Sequence, residues 1–419
     1  MLSILSKYSI SAEKLIGSFL VTLLIISQVF FGISQFALGT TMPYKVLLVF
    51  AAFFAFFYFE KRFSYQQAIV FLVVFFFFGI TVIINKHSSL FELFSSFVIY
   101  GCSAFIFSFC KIDNKCVFRL CILFTFVWLF LYFRNNNQLG VAGVSTNGID
   151  NSINDDLTVS DTFAFGYCIL PAVVSSFLLL TYEKDYPWII IIRLIVFIVL
   201  FYFLVTSGSR GPVLCFLAAV FVRFLPALKK PKQAIIYIIV LVSFIIALIN
   251  ITSIVTEIHN AMPGKLSFIE KTYSLLSRTS GDFSNGRFKI IANVFKEYEM
   301  KDFIFGIGVG TYNNTHVEEG YTHNLFVSVL LDFGIIGVVL LCAILVLFIY
   351  YMFKDGEHAL FMVLLFTVSV VTLLFSGNYW KFFTLWLFIF FALSFNDSLK
   401  RKEAIVNDEL NELQRGVYA

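Results

Sequence analysis

Charged residues are scarce in this sequence. Asp, Glu, Lys and Arg together make up only 13% of its 419 residues, whereas a soluble domain carries about 25%. Hydrophobic residues make up 59%. With so few charges the chain cannot cover itself with polar surface, so we expect an integral membrane protein in contact with the lipid bilayer. The formal net charge of +4 is too small to indicate binding of nucleic acid.

Motifs that mark several enzyme and transporter classes are also absent. The sequence has no His-Glu-x-x-His zinc motif, no Asp-x-Asp motif for a metal–nucleotide complex, no Gly-x-Ser-x-Gly elbow and no P-loop. These absences argue against a metalloprotease, an enzyme that uses a nucleotide sugar and an ATP-driven pump. The seven cysteines lie in or beside apolar segments without disulfide or zinc spacing, so we expect buried thiols. We expect neither a metal nor another cofactor.

Long apolar runs are abundant. A transmembrane helix needs about 20 mostly apolar residues, and by that rule the chain has about twelve spans. We therefore predict an all-α polytopic membrane protein with a single integral membrane domain over residues 1–419. The first run is longer than the apolar part of a cleaved signal, so we expect it to be a span. The predicted spans are 15–36, 44–59, 67–85, 90–109, 117–133, 161–181, 188–205, 212–225, 233–252, 322–353, 359–376 and 379–396.

Basic residues in the connections set the predicted orientation. The lysines at 229–232 and the basic triplet at 400–402 belong to clusters that fall on alternate connections. By the positive-inside rule, this pattern places both termini in the cytoplasm. The outer face then carries a first loop at 134–160 and a large loop at 252–321, and we expect residues 397–419 to form a cytoplasmic tail.

The run at 322–353 is too long for one straight span. We expect Gly334 and Gly337 to break it, so that its first part lies as a half-helix at the outer surface. Asp332, an acid within this apolar run, is expected to pair with a basic residue or to lie at an interface. The Gly-x-Gly-x-Gly segment at 306–310 has no βαβ context, which argues against a dinucleotide site. We expect a tight turn there that brings backbone close to substrate or membrane.

Arg210 is the most informative single residue. It lies at the outer end of a span, where the bias of basic residues toward the cytoplasm gives no reason for it. Pro212 suits the first turn of the next helix, and a guanidinium beside a helix N-terminus forms a natural anion site. The alternative is an interfacial arginine that reaches lipid headgroups.

Two residues of the large loop are further candidates. Arg287 precedes an amphipathic run, and it is either an anion ligand or an ordinary surface arginine. His323 lies where the loop re-enters the membrane, and it is either a functional group or a helix-start histidine bonded to backbone. A neutral imidazole can accept a proton from a sugar hydroxyl, and an imidazolium can bind phosphate. The alternative bases on the same face are His316, His259, Glu318 and Glu319.

Three ordered segments of the second half of the chain belong together. They are Ser207-Gly208-Ser209-Arg210-Gly211-Pro212 at the start of a span, Gly286-Arg287 in the large loop, and His323-Asn324 followed by Asp332-Phe333-Gly334-Ile335-Ile336-Gly337. The order and spacing of these segments resemble those of the bacterial O-antigen polymerase and O-antigen ligase superfamily of membrane glycosyltransferases. The predicted number of spans also matches that superfamily. The first five spans match that superfamily in hydropathy only.

The resemblance implies metal-independent, inverting glycosyl transfer on the periplasmic face of the inner membrane. The donor is then an undecaprenyl-pyrophosphate-linked oligosaccharide, whose pyrophosphate Arg210 and Arg287 hold, while His323 orients or deprotonates the attacking hydroxyl. A chain-length regulator protein is a further expected partner. The other candidate substrate-binding residues, in and beside the same loop, are Arg278, Tyr321 and Asn324.

The two branches of the superfamily differ in their acceptor. A polymerase joins the glycan to another lipid-linked repeat unit, whereas a ligase passes it to the lipopolysaccharide core. The Ser-Arg-Gly-Pro form around Arg210 and the glycine-rich turn ahead of His323 favour the polymerase, and the ligase is the alternative. A transporter of lipid-linked oligosaccharides fits less well, because such carriers show internal repeats and polar groups near the bilayer midplane.

Overall fold

The structure is a computed structural model, and all regular structure in the residues it describes is helical. No strand occurs among these residues, so the all-α prediction is confirmed for them. The described residues are 11–30, 42–59, 65–84, 94, 97–135, 158–182, 186–207, 209–261, 269, 273, 287–316, 322–354, 356–375 and 379–393.

Sixteen helices are labelled here in chain order. The first ten are α1 Ala12–Ile25, α2 Met42–Phe59, α3 Tyr65–Ile84, α4 Ser103–Phe107, α5 Asn114–Asn135, α6 Thr158–Tyr182, α7 Pro187–Thr206, α8 Arg210–Phe224, α9 Pro231–Ile249 and α10 Ile251–Ala261. The others are α11 Arg287–Glu297, α12 Met300–Phe305, α13 Thr311–Thr315, α14 Leu325–Lys354, α15 Gly356–Phe366 and α16 Phe383–Leu393. Short 3₁₀ turns follow α8 at Leu225–Lys229 and precede α16 at Tyr379–Lys381, and π-helical turns lie at Val98–Cys102 and Thr367–Val371.

The long helices are apolar on their outer sides as well as in the core. On α7, for example, Ile191 and Ile195 are more than half exposed although both are large aliphatic residues. A helix that is hydrophobic all round is typical of a membrane span. Within the described residues, four helices are long and apolar enough to cross a bilayer: Asn114–Arg134, Pro187–Thr206, Arg210–Lys229 and Leu325–Phe353. Shorter apolar helices fall within other predicted spans, and the count of twelve remains a prediction.

The main core surrounds α6 and α15. Helix α6 packs against α5, α7 and α8, and its residues Ile169 and Val173 are fully buried. Helix α15 is buried along most of its length, as Phe361 and Leu364 show, and the π-helical turn after it packs against α8. The core therefore fixes the position of α8, the helix that Arg210 begins.

Helix α14 is broken at Gly334, where the backbone has φ 65° and ψ −161°. The break at this residue confirms the prediction, whereas Gly337 keeps helical backbone, so that part of the prediction is wrong. A Cβ at Gly334 would lie 2.2 Å from the Ile304 carbonyl oxygen, and one at Gly306 would lie 2.6 Å from the Asp332 carbonyl oxygen. Only residues without a Cβ allow the two backbones to approach this closely.

The glycine-rich turn at 306–310 fills the break in α14. The Ile307 amide donates to the Leu331 carbonyl oxygen at 2.6 Å, and the Gly308 amide donates to that of Asp332 at 3.3 Å. All three glycines of the turn have positive φ, between 78° and 92°. The predicted tight turn is thus present, and what its backbone approaches is the break in α14.

The described part of the large loop forms a layer on the first half of α14. Val294 of α11, Tyr312 of α13 and Leu331 of α14 are buried together in a small second core. The amphipathic run predicted there is helical, with Val294 buried, whereas Phe288 and Phe295 are exposed. This layer holds α11, the helix that begins with Arg287, against the half of α14 that follows His323.

Candidate active site

Arg210 is the first residue of α8 and is half-buried. The residue before it, Ser209, has extended backbone but makes no side-chain capping bond to the helix. The first N–H groups of a helix carry partial positive charge and have no partner within the helix. The start of α8 therefore combines a guanidinium with an N-terminus that no serine side chain caps, as the anion-site interpretation requires.

The start of α8 packs tightly against α6. A Cβ at Gly211 would lie 2.1 Å from the Tyr167 hydroxyl, so only glycine fits at this position without displacing the tyrosine. Ser207 and Ser209 are both buried, and the Ser207 hydroxyl donates to the Leu204 carbonyl oxygen at 2.7 Å. Close packing on α6 thus fixes the backbone around Arg210.

Ser209 is a candidate that the sequence analysis missed. Its side chain is 3% exposed, and its hydroxyl has no hydrogen-bond partner. A buried polar group without a partner is rare in native structures and calls for an explanation such as a ligand. The only sequence signal was its place directly before Arg210, and serine is too common in turns for that to be specific.

Arg287 is the first residue of α11 and is half-buried. Because α11 is amphipathic, its buried residue Val294 belongs to the second core together with Tyr312 and Leu331. Arg287 thus occupies the same position in α11 as Arg210 does in α8. That Arg210 and Arg287 hold one pyrophosphate stays a prediction.

His323 adopts left-handed backbone with φ 53° and is the only described residue other than glycine with positive φ. Its side chain is half-buried. For a residue with a Cβ, such backbone costs about 1–3 kcal/mol and is found preferentially at active sites. The strain is therefore an independent structural reason to single out His323.

The neighbours of His323 hold the start of α14 in place. The Asn324 Oδ1 atom accepts from the Phe326 amide at 3.0 Å and from the Val327 amide at 3.2 Å, which makes Asn324 an N-cap. The buried Thr322 hydroxyl lies 2.6 Å from that of Ser328. Asn324, a predicted substrate-binding residue, thus uses its amide oxygen to cap the helix and so positions His323.

Asp332 pairs with a tyrosine rather than with a basic residue. The Tyr379 hydroxyl donates to Asp332 Oδ2 at 2.6 Å, and the Gly310 backbone also hydrogen-bonds the carboxyl group. Asp332 is 5% exposed and Tyr379 is 4% exposed. The carboxyl group thus joins the broken part of α14 to the glycine-rich turn and to the segment before α16.

The starts of α8 and α14 lie at the same end of the bundle. At the opposite end, the Lys229 ammonium donates to the Phe353 carbonyl oxygen. At about 1.5 Å per residue, Arg210 lies about 28 Å from Lys229 and Asp332 about 31 Å from Phe353. Phe375, four residues before Tyr379, is 3.7 Å from the Cβ position of Gly211. Arg210 is therefore near the level of the break in α14.

His316 belongs to a different cluster. Its Nε2 atom lies 2.9 Å from Glu297 Oε2, its Nδ1 atom lies 2.9 Å from Thr315 Oγ1, and its ring stacks on Tyr312 at 4.3 Å. Burial raises the pKa of the neighbouring Tyr298 hydroxyl above its ordinary value. Glu297 ends the helix that Arg287 begins, about 15 Å away along the axis. This distance argues against His316 as a base beside Arg287.

The remaining sequence candidates lie outside the described residues. They are Arg278, Tyr321, Glu318 and Glu319. His259 is described at the end of α10, where its ring stacks on Tyr273 at 3.9 Å. Among the residues that the structure describes, no three His, Cys, Asp or Glu side chains come together as metal ligands, and metal independence remains a prediction.

Residues 195–342 match the model of the protein family described as O-antigen ligase. The match covers about a third of the 419-residue chain and includes Arg210, Arg287 and His323. No curated protein matches the chain. The family match confirms the resemblance to the O-antigen polymerase and ligase superfamily, a group of glycosyltransferase-like membrane enzymes, and is equally compatible with a polymerase and a ligase.

Proposed function

We propose that the protein is an O-antigen polymerase, which joins undecaprenyl-pyrophosphate-linked repeat units of a surface polysaccharide. The observation that carries this proposal is the position of three residues relative to helix starts. Arg210 and Arg287 each begin a helix, and His323 lies two residues before another. A helix N-terminus favours a bound anion, and a guanidinium beside it adds a full positive charge. Such a set suits a pyrophosphate leaving group.

In the proposed reaction, an acceptor sugar hydroxyl attacks the anomeric carbon of the donor glycan. The bond from this carbon to the pyrophosphate oxygen breaks, and undecaprenyl pyrophosphate leaves as an anion. Arg210 and Arg287 stabilise the developing negative charge through bidentate hydrogen bonds, which a metal ion supplies in other enzymes. His323 accepts the proton of the attacking hydroxyl, and attack from the face opposite the leaving group inverts the anomeric centre.

Ser209 adds a neutral donor to this site. Its buried hydroxyl has no hydrogen-bond partner and directly precedes Arg210. A bound phosphate oxygen would satisfy the hydroxyl, and removing the hydroxyl would weaken donor binding without changing the charge of the site. We therefore include Ser209 in the donor site, together with Arg278 and Tyr321 of the loop at 252–321.

The proposed setting is the bacterial inner membrane, with about twelve spans and both termini in the cytoplasm. The site then faces the periplasm between the loops at 134–160 and 252–321, where lipid-linked donors are presented. The distance from Arg210 to Lys229, about 28 Å along the helix, supports this arrangement because it matches a hydrocarbon core about 30 Å thick. This distance places Arg210 and the lysines at 229–232 on opposite sides of the bilayer in the proposed arrangement.

An O-antigen ligase, which passes the glycan to the lipopolysaccharide core, is the alternative. The matching family is compatible with it as well. A deletion strain distinguishes the two functions. Loss of a polymerase leaves core that carries one repeat unit, whereas loss of a ligase leaves bare core and accumulated lipid-linked polymer. Normal polysaccharide in the deletion strain would refute both functions. Complementation with the unchanged gene is the control.

A further inference from the structure

An apolar groove lies far from the proposed active site, at the opposite end of α8 from Arg210. It has a volume of about 840 Å³ and opens between α8, the 3₁₀ turn after it, and α9. Its walls are mainly apolar, with Leu217, Val220 and Phe221 on one side and Ile236 and Val240 on the other. The volume lies within the range of about 300–1,000 Å³ that is typical of small-molecule sites.

The sides of this groove continue into an exposed apolar surface that suits contact with lipid acyl chains. Ile235 and Ile239, on the neighbouring turns of α9, are 60% and 57% exposed. A helix with such exposed aliphatic residues faces hydrocarbon in a membrane protein. The groove therefore opens sideways into the acyl-chain region of the bilayer, and an extended hydrocarbon chain has direct access to it.

The end of the groove near the 3₁₀ turn is basic. Arg223 and Lys230 line it, and Lys229 and Lys232 are close by in the chain. The stretch from Tyr186 to Thr256, which includes α8 and α9, contains no acidic residue. Basic pockets between transmembrane helices on the cytoplasmic side bind anionic lipid headgroups. The local charge therefore favours an anionic headgroup over a zwitterionic one.

The guanidinium of Arg223 is held at the edge of the groove. Its Nε atom donates to Thr181 Oγ1 at 3.3 Å, and an Nη atom donates to the Thr181 carbonyl oxygen at 3.4 Å. These bonds use one edge of a fork that offers five N–H donors. Arg223 is thus oriented before any ligand binds, which lowers the entropy cost of binding a phosphate.

We propose that this groove binds one anionic phospholipid. The acyl chain lies along the apolar walls between α8 and α9, and the phosphate lies between Arg223 and Lys230. The site is separate from the proposed catalytic residues, because Arg210 and Arg223 are at opposite ends of α8. The bound lipid fills the space between α8 and α9 and thereby supports the helix that Arg210 begins.

The test uses the purified full-length protein in nanodiscs that contain phosphatidylglycerol and phosphatidylcholine. Lipid that stays bound after extraction into detergent is measured by native mass spectrometry. The wild type should retain one phosphatidylglycerol. In the Arg223→Gln/Lys230→Gln variant, affinity should fall about thirtyfold, since each basic residue near an anionic membrane surface contributes about a factor of five. The Lys289→Gln/Lys301→Gln variant loses the same charge at exposed sites and should retain the lipid.

A second variant keeps the test decisive if loss of the Arg223–Thr181 bonds prevents folding. Val220→Phe fills the groove without changing any charge, and it too should lose the bound lipid. The proposal would be overturned if Val220→Phe and Lys230→Gln both retained as much phosphatidylglycerol as the wild type. Equal binding of phosphatidylcholine and phosphatidylglycerol by the wild type would also overturn it.

Discussion

The hydrogen bond between Tyr379 and Asp332 offers the sharpest test of how the candidate site is built. Replacing Tyr379 by Phe removes the hydroxyl that donates to the Asp332 carboxyl group at 2.6 Å and leaves the ring in place. Both residues are at least 95% buried, so water does not readily replace the lost donor. We expect the glycine-rich turn to loosen, because Asp332 also bonds the Gly310 backbone.

The expected loss of stability follows from the burial of the pair. An intramolecular hydrogen bond contributes about 0.5–1.5 kcal/mol, and a buried group left without its partner costs about 1–3 kcal/mol. Tyr379→Phe should therefore lower the free energy of unfolding by about 2 kcal/mol. Since the two residues form one unit, the double variant with Asp332→Ala should be destabilised by about 1–3 kcal/mol less than the sum of the single variants.

Denaturant unfolding of purified protein in a fixed detergent, followed by tryptophan fluorescence, measures these differences. Tyr202→Phe is the matched control, because Tyr202 is 55% exposed on α7 and should tolerate the change. Additive effects of the Tyr379 and Asp332 substitutions would refute the coupling. An unchanged stability of Tyr379→Phe would show that the hydrogen bond does not brace the turn.

Four further predictions concern the proposed reaction and its scaffold. Arg210→Lys and Arg287→Lys should each abolish most of the polymer while expression persists, because lysine cannot form the bidentate hydrogen bonds of arginine. Polysaccharide length is measured in deletion strains complemented with each variant, and full-length polysaccharide would contradict the prediction. His323→Ala should slow turnover about 10²–10⁴-fold with donor binding nearly intact, whereas Arg210→Ala should weaken donor binding itself; binding of lipid-linked donor, measured beside turnover, separates the two roles. Transfer by the purified protein should persist in chelator, and activity that only magnesium restores would argue for a metal. Gly334→Ala should destabilise the protein by more than 1 kcal/mol, about the cost of unfavourable backbone alone, because its Cβ would also meet Ile304; a thermal unfolding curve like that of the wild type would exclude this clash.

The helical class and the position of the break in α14 at Gly334 could be predicted from the sequence. Runs of apolar residues report spans directly, because a bilayer demands about 20 of them. Gly334 was identified because the run around it is too long for one helix. Gly337 was predicted wrongly, since a glycine within a helix costs only about 1 kcal/mol and does not by itself end the helix.

The contacts within the candidate site were beyond reach of the sequence. Tyr379 is 47 residues from Asp332, and nothing in the local pattern of either residue indicates the other. The left-handed backbone at His323 likewise has no signal in the residue types around it. Ser209 becomes notable only through its burial, which tertiary packing decides. The sequence therefore indicates candidate residues for the site, whereas their partners depend on long-range packing.

The turn at 306–310 has a consequence for exchanging parts between relatives. Two carbonyl oxygens at the break in α14 receive donors from Ile307 and Gly308, so this span does not complete its own backbone hydrogen bonding. In hydrocarbon, carbonyl groups without donors cost several kcal/mol each. A chimera that replaces the large loop but keeps the span would leave these carbonyl oxygens without hydrogen-bond donors. Residues 304–310 and 331–334 therefore form one transplantable unit, and an exchange of the loop has to include both segments.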